Sequence, residues 1–248
     1  MSTIKTCRIL GINIAVTNMA QTVQYIENNL EELRGKYICV SNVHTTVMAH
    51  DNPAYRNVQN SAAIALPDGK PLSVVSRKRG YTEAERVTGP DLMGELFVRE
   101  NGLKHFFYGD KEETLQILQQ KLKEKYPDIQ IAGMISPPFR SLSQEEEKAY
   151  IQQINDSGAD IIWIGLGAPK QENWMYEHQG MLHGVMIGVG AGFSYHAGLI
   201  KRAPKWMQRM SLEWFYRLMQ DPVRLFKRYF TTNLKFMLLE AKDKGEAL

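Results

Sequence analysis

The chain is poor in several features that would fix its chemistry early. Its only cysteines are Cys7 and Cys39, too few and too far apart for a disulfide framework or a Cys-x-x-Cys zinc site. No apolar run reaches the ~18–20 residues that span a bilayer. Met1 to Arg8 is polar and then strand-like, without the apolar core of a signal peptide. The histidines show neither His-x-x-x-His nor His-Glu-x-x-His spacing, and no Asp-x-Asp pair occurs, so no metal site is expected. Gly-x-x-x-x-Gly-Lys-Ser/Thr is missing, which removes P-loop chemistry, and Gly-x-Gly-x-x-Gly is never completed. There is no fixed-period repeat and no low-complexity linker. What these absences leave is an expected cytoplasmic protein of ordinary composition, 44% hydrophobic and 23% charged over 248 residues. That length suits one α/β domain with an appendage.

What is present is an alternation of short apolar runs with helical patterns. Strands are expected at Arg8–Val16 (a strand or hairpin), Tyr37–Val40, Ala62–Leu66, Lys104–Tyr108, Ile129–Met134, Asp160–Gly165 and Val185–Val189. Asn18 can cap a helix to about Glu31, with Ala20, Val23, Ile26 and Leu30 on its inner face. Further helices are expected over Thr45–His50, Pro53–Asn60, Lys70–Lys78, from Asp91 to Asn101, Glu112–Tyr126 and Ser143–Asp156, the last opened by a Ser143–Glu146 capping box. Continuous apolar runs without period-2 alternation belong to a sheet covered on both faces. The predicted fold class is therefore α/β, a Rossmann-like doubly wound, mostly parallel sheet. Composition shifts near 196–204, dividing the chain into an α/β core, 1–195, expected to carry any catalytic site, and a basic helical appendage, 196–248.

The net charge of +3 hides an asymmetry: residues 201–235 hold nine Lys/Arg and two acids, a net of +7, while the rest holds 21 bases and 25 acids, a net of −4. The basic residues alternate with Trp206, Trp214, Phe215, Tyr216, Phe226, Tyr229 and Phe230. This mixture suits an anionic lipid surface. Core packing and a subunit interface, hence a homo-oligomer, stay open for the same residues. No nucleic-acid motif accompanies them, and no nucleic-acid partner is expected.

Four loops hold candidate chemistry. Ala63–Leu66 ends in Pro67-Asp68-Gly69-Lys70, and a carboxylate just past a core strand sits where open α/β sheets place ligands. Asp68 can act as a general base toward a hydroxyl or simply close its own turn. Asn42 and His44 follow another strand end, where Asn42 can bind a hydroxyl or cap the next helix. Arg86-Val-Thr-Gly-Pro-Asp91 offers a guanidinium suited to a diphosphate. Gly165-Leu-Gly167-Ala-Pro-Lys170-Gln171-Glu172 combines glycines, a helix N-terminus, a cation and an amide, an arrangement able to cradle an anion or nucleotide. Gly188-Val-Gly190-Ala-Gly192 is half of a dinucleotide fingerprint and leaves a nicotinamide-dependent oxidoreductase as a weaker alternative. A non-catalytic membrane-surface adaptor is a third reading.

Taken together, Leu66–Gly69, Arg86–Leu92, Gly165–Glu172, Gly188–Ala191, Arg202-Ala-Pro-Lys205 and Leu212-Glu-Trp-Phe-Tyr-Arg217-Leu, followed by Pro222 and Arg224, resemble the bacterial WecG/TagA/CpsF glycosyltransferase family, family 26, over nearly the whole chain. The resemblance implies an inverting, metal-independent transfer, with no cofactor, from a UDP-sugar to a polyprenyl-diphosphate-linked sugar at the inner face of the cell membrane. It implies Asp68 as the base and Arg86 beside it. Asn42, Gly69, Lys70, Gly165, Gly167, Lys170, Gln171 and Gly190 would bind donor or acceptor. Arg202, Lys205, Arg217, Arg224 and Arg228 would meet the lipid diphosphate and an anionic membrane. The chain departs from the family at Val40–His44: Val40 stands where a threonine is usual and His44 where a carboxylate is.

Overall fold

The computed structural model of the protein describes residues 4–99, 102–204, 206–207, 210 and 212–243, with the side chains of 224, 227 and 228 outside that description. One sheet is built from β1 (Thr6–Ile9), β2 (Ile12–Ala15), β3 (Tyr37–Ser41), β4 (Ile64–Pro67), β5 (Lys104–Gly109), β6 (Gln130–Ile135), β7 (Ile161–Gly165) and β8 (Val185–Gly188). Its order is β1-β2-β4-β3-β8-β7-β5-β6. The β1–β2 hairpin is antiparallel and every other pairing is parallel. The central strands β3, β4 and β8 are buried along their whole length, which is why they read as unbroken apolar runs.

The helices are α1 (Met19–Asn28), α2 (Leu30–Leu33), α3 (Val43–Asp51), α4 (Pro53–Ser61), α5 (Lys70–Lys78), α6 (Gly89–Phe97), α7 (Glu112–Lys125), α8 (Gln144–Asp156), α9 (Lys170–Glu177), α10 (Gly192–His196), α11 (Glu213–Gln220) and α12 (Pro222–Lys242). They cover both faces of the sheet. One core cluster includes Val47, Leu72, Ile154, Met175 and Phe236; the other includes Ile26, Leu96, Leu118 and Phe193. Short polar side chains set the helix starts. Asn18, Asn42, Asn52, Thr88 and Ser143 each accept a hydrogen bond from a first-turn N–H, and the expected Ser143–Glu146 box closes.

Two helices differ from the sequence reading. α1 buries Thr22, Val23, Tyr25 and Ile26, while Ala20 is exposed. The helix breaks at Asn29, whose side-chain amide donates to the Tyr25 carbonyl at 2.8 Å. α6 ends at Phe97 rather than Asn101, which lies outside the described residues. Phe97 is anchored among the rings of His105, Phe107, Tyr126 and Trp163, so the chain turns where that packing ends.

At the carboxyl edge, β5 and β7 approach closely. Gly109 has φ +128°, and a Cβ there would lie 2.6 Å from the Gly165 carbonyl carbon. Gly109→Ala is therefore expected to destabilise the protein by on the order of 3 kcal/mol. A thermal melt should read this as a Tm loss of roughly 6–12 °C.

The C-terminal helices pack back onto the core. Phe236 is buried in a core cluster, Lys235 Nζ pairs with Asp51 Oδ2 at 2.6 Å, and the Leu10 N–H in the β1–β2 turn donates to Asp243 Oδ2 at 3.0 Å.

Candidate active site

A cleft of about 1300 Å³ lies outside the carboxyl ends of β4, β3, β8 and β7 and runs out between core and C-terminal helices. This is the position where open α/β sheets bind ligands. The β3–β4 register pairs Ser41 with Pro67, so the next residues of each strand, Asn42 and Asp68, emerge side by side. The Asp68 N–H donates to the Ser41 carbonyl at 2.8 Å and the Val87 N–H donates to the Pro67 carbonyl at 2.9 Å. These bonds bring the Arg86 loop against Asp68. Asn42 caps α3, its Oδ1 accepting from the N–H groups of His44 and Thr45 at 3.0 and 3.2 Å. Its side-chain oxygen is thus committed to the helix, while Asn42 and His44 both still line the cleft. Gly69 and Lys70 line it too, at the start of α5.

Asp68 is half-buried. Among the described residues nothing hydrogen-bonds its carboxylate. Burial pushes its pKa up to about 6; Arg86 opposes this, and Glu213 and Asp91 reinforce it. A carboxylate tuned toward neutrality is suited to accept a proton at physiological pH. Turnover is expected to fall as pH drops through about 6, since the protonated acid cannot act as a base; a pH–rate profile of kcat/KM checks this. The fold carries the matching sign. A carboxyl with a raised native pKa binds more protons folded than unfolded between its usual value of 3.8 and about 6, so its contribution to stability declines as pH rises through that window.

Facing Asp68 is a cluster that joins core to appendage. Arg86 Nη2 donates to Glu213 Oε2 at 2.6 Å. Arg202 lies 3.1 Å from the other Glu213 oxygen and 2.9 Å from Asp91 Oδ1. The Arg202 and Arg217 guanidinium groups both lie over the Tyr195 ring, 5.4 and 5.1 Å from its centroid. Arg217 Nη1 is buried without a hydrogen-bond partner. Three guanidinium groups therefore meet three carboxylates, those of Asp68, Asp91 and Glu213, around one end of the cleft. Glu213 and Tyr195 were not assigned roles from sequence. The available signal for Glu213 was its isolation as an acid in a basic stretch, which is where a buried ion-pair partner is found.

The glycine loops differ from the sequence expectation. Gln171 is buried; its Oε1 accepts from the N–H groups of Gly167 and Gly190 at 3.2 and 3.0 Å. Those two N–H groups are thus spent on an internal clip rather than offered to an anion. Lys170 is exposed, off the cleft lining. Gly165 is also off the lining and serves packing: a Cβ there would lie 2.7 Å from the Phe193 ring. The dinucleotide alternative fails for similar reasons. A Cβ on Gly188 would lie 2.7 Å from Met175 Cε, one on Gly192 2.7 Å from Met93 Sδ, and α10 spans only 5 residues. These glycines admit neighbouring side chains, not a pyrophosphate. Of the proposed lipid-facing cations, Arg202 and Arg217 are at the cleft. Lys205 lies outside the described residues, as do the side chains of Arg224 and Arg228 on α12.

A doubly wound sheet with a carboxylate and several guanidinium groups in a cleft at its carboxyl edge is the architecture of an α/β enzyme. The family is equally definite: the model of the glycosyl transferase WecG/TagA/CpsF family matches residues 7–247, and the chain belongs to that family. It is a glycosyltransferase rather than an oxidoreductase or an adaptor. Its curated relatives include three enzymes named N-acetylglucosaminyldiphosphoundecaprenol N-acetyl-beta-D-mannosaminyltransferase. That of Bacillus subtilis (strain 168) is 30% identical, covering 84% of this chain and 81% of its own. That of Bacillus spizizenii is 29% identical, covering 91% and 90%. That of Staphylococcus aureus (strain MW2) is 28% identical, covering 95% and 93%.

Proposed function

We propose that the protein moves N-acetylmannosamine, or a related hexose, from a UDP-sugar to a polyprenyl-diphosphate-linked N-acetylglucosamine, inverting the anomeric carbon and using neither metal nor cofactor. This reaction would serve cell-surface polysaccharide or teichoic acid synthesis. The observation that carries the reading is Asp68 standing unbonded in the cleft beside Arg86, Arg202 and Arg217. Asp68 takes the proton of the acceptor hydroxyl, whose oxygen forms the bond to the anomeric carbon as the bond to UDP breaks. The departing diphosphate carries the electron pair and gathers negative charge, which preorganised guanidinium groups stabilise. Arg86, Arg202 and Arg217, which line the cleft, are the groups at hand for that charge.

The lipid side of the reading rests on α12. Val223, Phe226, Phe230, Leu234 and Met237 recur along one helical stripe and are exposed, Val223 by 93%. Phe226, Phe230, Leu234 and Met237 also line the cleft. Among the described residues no helix is long and apolar enough to cross a membrane. An apolar stripe at the mouth of a polar site fits a helix lying in the membrane interface and handing a lipid-borne acceptor to Asp68. The testing experiment is a donor panel: UDP release with a polyprenyl-diphosphate-N-acetylglucosamine acceptor, scored for UDP-N-acetylmannosamine, its uronic acid and UDP-glucose. Release from the first is expected to dominate. Release from none of them overturns the reading.

A further inference from the structure

Glu172 is among the most deeply buried ionisable groups of the described residues, 1% exposed, and it contributes to the cleft wall from the first turn of α9. Gln171 Nε2 donates to Glu172 Oε1 at 2.8 Å. The second oxygen of Glu172 is buried, and the Tyr55 hydroxyl is the other side-chain group that interacts with this carboxyl. Because Glu172 accepts the Nε2 proton, the amide cannot turn over: its oxygen must face the N–H groups of Gly167 and Gly190. The reversed amide would set an NH₂ group against two further donors, and buried donors without acceptors are costly. Gly167 follows β7 with φ +77° and Gly190 follows β8 with φ +52°. The two loops therefore meet through one side-chain oxygen, and both line the cleft.

From this geometry we propose that Glu172 is a positioning residue, which locks the Gln171 amide and thereby fixes the spacing of the Gly167 and Gly190 loops that wall the donor side of the cleft. The inference rests on the reading of that cleft as a UDP-sugar site. Burial raises the pKa of Glu172, and the hydrogen bonds it accepts from Gln171 and Tyr55 oppose that rise. The role needs an acceptor oxygen at this place and not a negative charge, which would repel a diphosphate nearby.

The test compares Glu172→Ala, Glu172→Gln and Gln171→Ala, alone and combined, by UDP titration calorimetry, donor and acceptor KM, and thermal melting. Glu172→Ala is expected to weaken UDP binding and raise donor KM by about tenfold, the size of one lost buried hydrogen bond, with acceptor KM little changed. Glu172→Gln keeps the acceptor oxygen and should recover most of that loss. Since Glu172 acts through Gln171, the double variant should be no worse than Gln171→Ala alone. If the Ala variants fail to fold, Glu172→Asp, which withdraws the oxygen by one methylene, must show the same donor-selective loss. Unchanged UDP affinity in a folded Glu172→Ala or Glu172→Asp, or a Glu172→Gln as impaired as Glu172→Ala, overturns the inference while the transferase reading stands. A wild-type protein that binds no UDP overturns both.

Discussion

Asp68→Asn is expected to lower kcat by about 10²–10⁴-fold, the range of a lost general base, while UDP affinity stays within about twofold of wild type, an amide at this place removing no donor to the diphosphate. The substitution keeps the shape at the end of β4 and the Asp68 backbone bonds to Ser41 and Leu66, so the cleft is unaltered. It also separates chemistry from folding. The ionised carboxylate is disfavoured by burial, and a neutral amide of the same size escapes that cost. Asp68→Asn should therefore melt no lower than wild type at pH 7. A variant with low turnover and low Tm would point to a structural role. One with near-normal turnover would remove Asp68 from the chemistry. Steady-state kinetics, calorimetry with UDP and a thermal melt on the same preparation decide among these.

Arg86→Ala should cost as much through a different route. Arg86 is the core's own contribution to the guanidinium cluster, held at Glu213 by a 2.6 Å bond. Removing one preorganised donor to a developing negative charge typically costs about 10²–10³-fold in turnover. Unlike Asp68→Asn, this change should also weaken UDP binding. A second signature follows from charge. Arg86 lowers the Asp68 pKa against burial and against Glu213 and Asp91, so without it the acid limb of the pH–rate profile moves to higher pH. Arg86→Lys should rescue poorly, because a lysine ammonium cannot reproduce the planar fork that serves Glu213 and a diphosphate together. An acid limb that stays in place in Arg86→Ala would show that Asp68 is not the titrating base.

Much of this site was legible in the sequence because it depends on short-range facts. Asp68 and Asn42 sit two residues beyond buried apolar runs, and parallel pairing of neighbouring strands sets such residues side by side. The caps at Asn18 and Ser143 were readable for the same reason, since a cap and its partners lie within one helical turn. What was hidden depended on distance along the chain or on rotation. Glu213 meets Arg86 across 127 positions, and no local pattern announces that pairing. Lys170 and Gln171 are neighbours, yet successive helical residues point about 100° apart; Gln171 turned inward to the Gly190 loop, leaving Lys170 in solvent. The glycines of Gly165–Gly167 and Gly188–Gly192 looked like phosphate-binding turns. Most of them instead make room for Phe193, Met175 and Met93, partners supplied by distant or successive elements.

The decisive question is whether sugar leaves UDP only for the acceptor, and on which face of the sugar it is received. The measurement is UDP release from UDP-N-acetylmannosamine with and without polyprenyl-diphosphate-N-acetylglucosamine, with the anomeric configuration of the product read by NMR. Release is expected to depend on the acceptor, with a β-linked product inverted from the α-linked donor. Release that proceeds equally without acceptor, or an α-linked product, would contradict the proposed transfer.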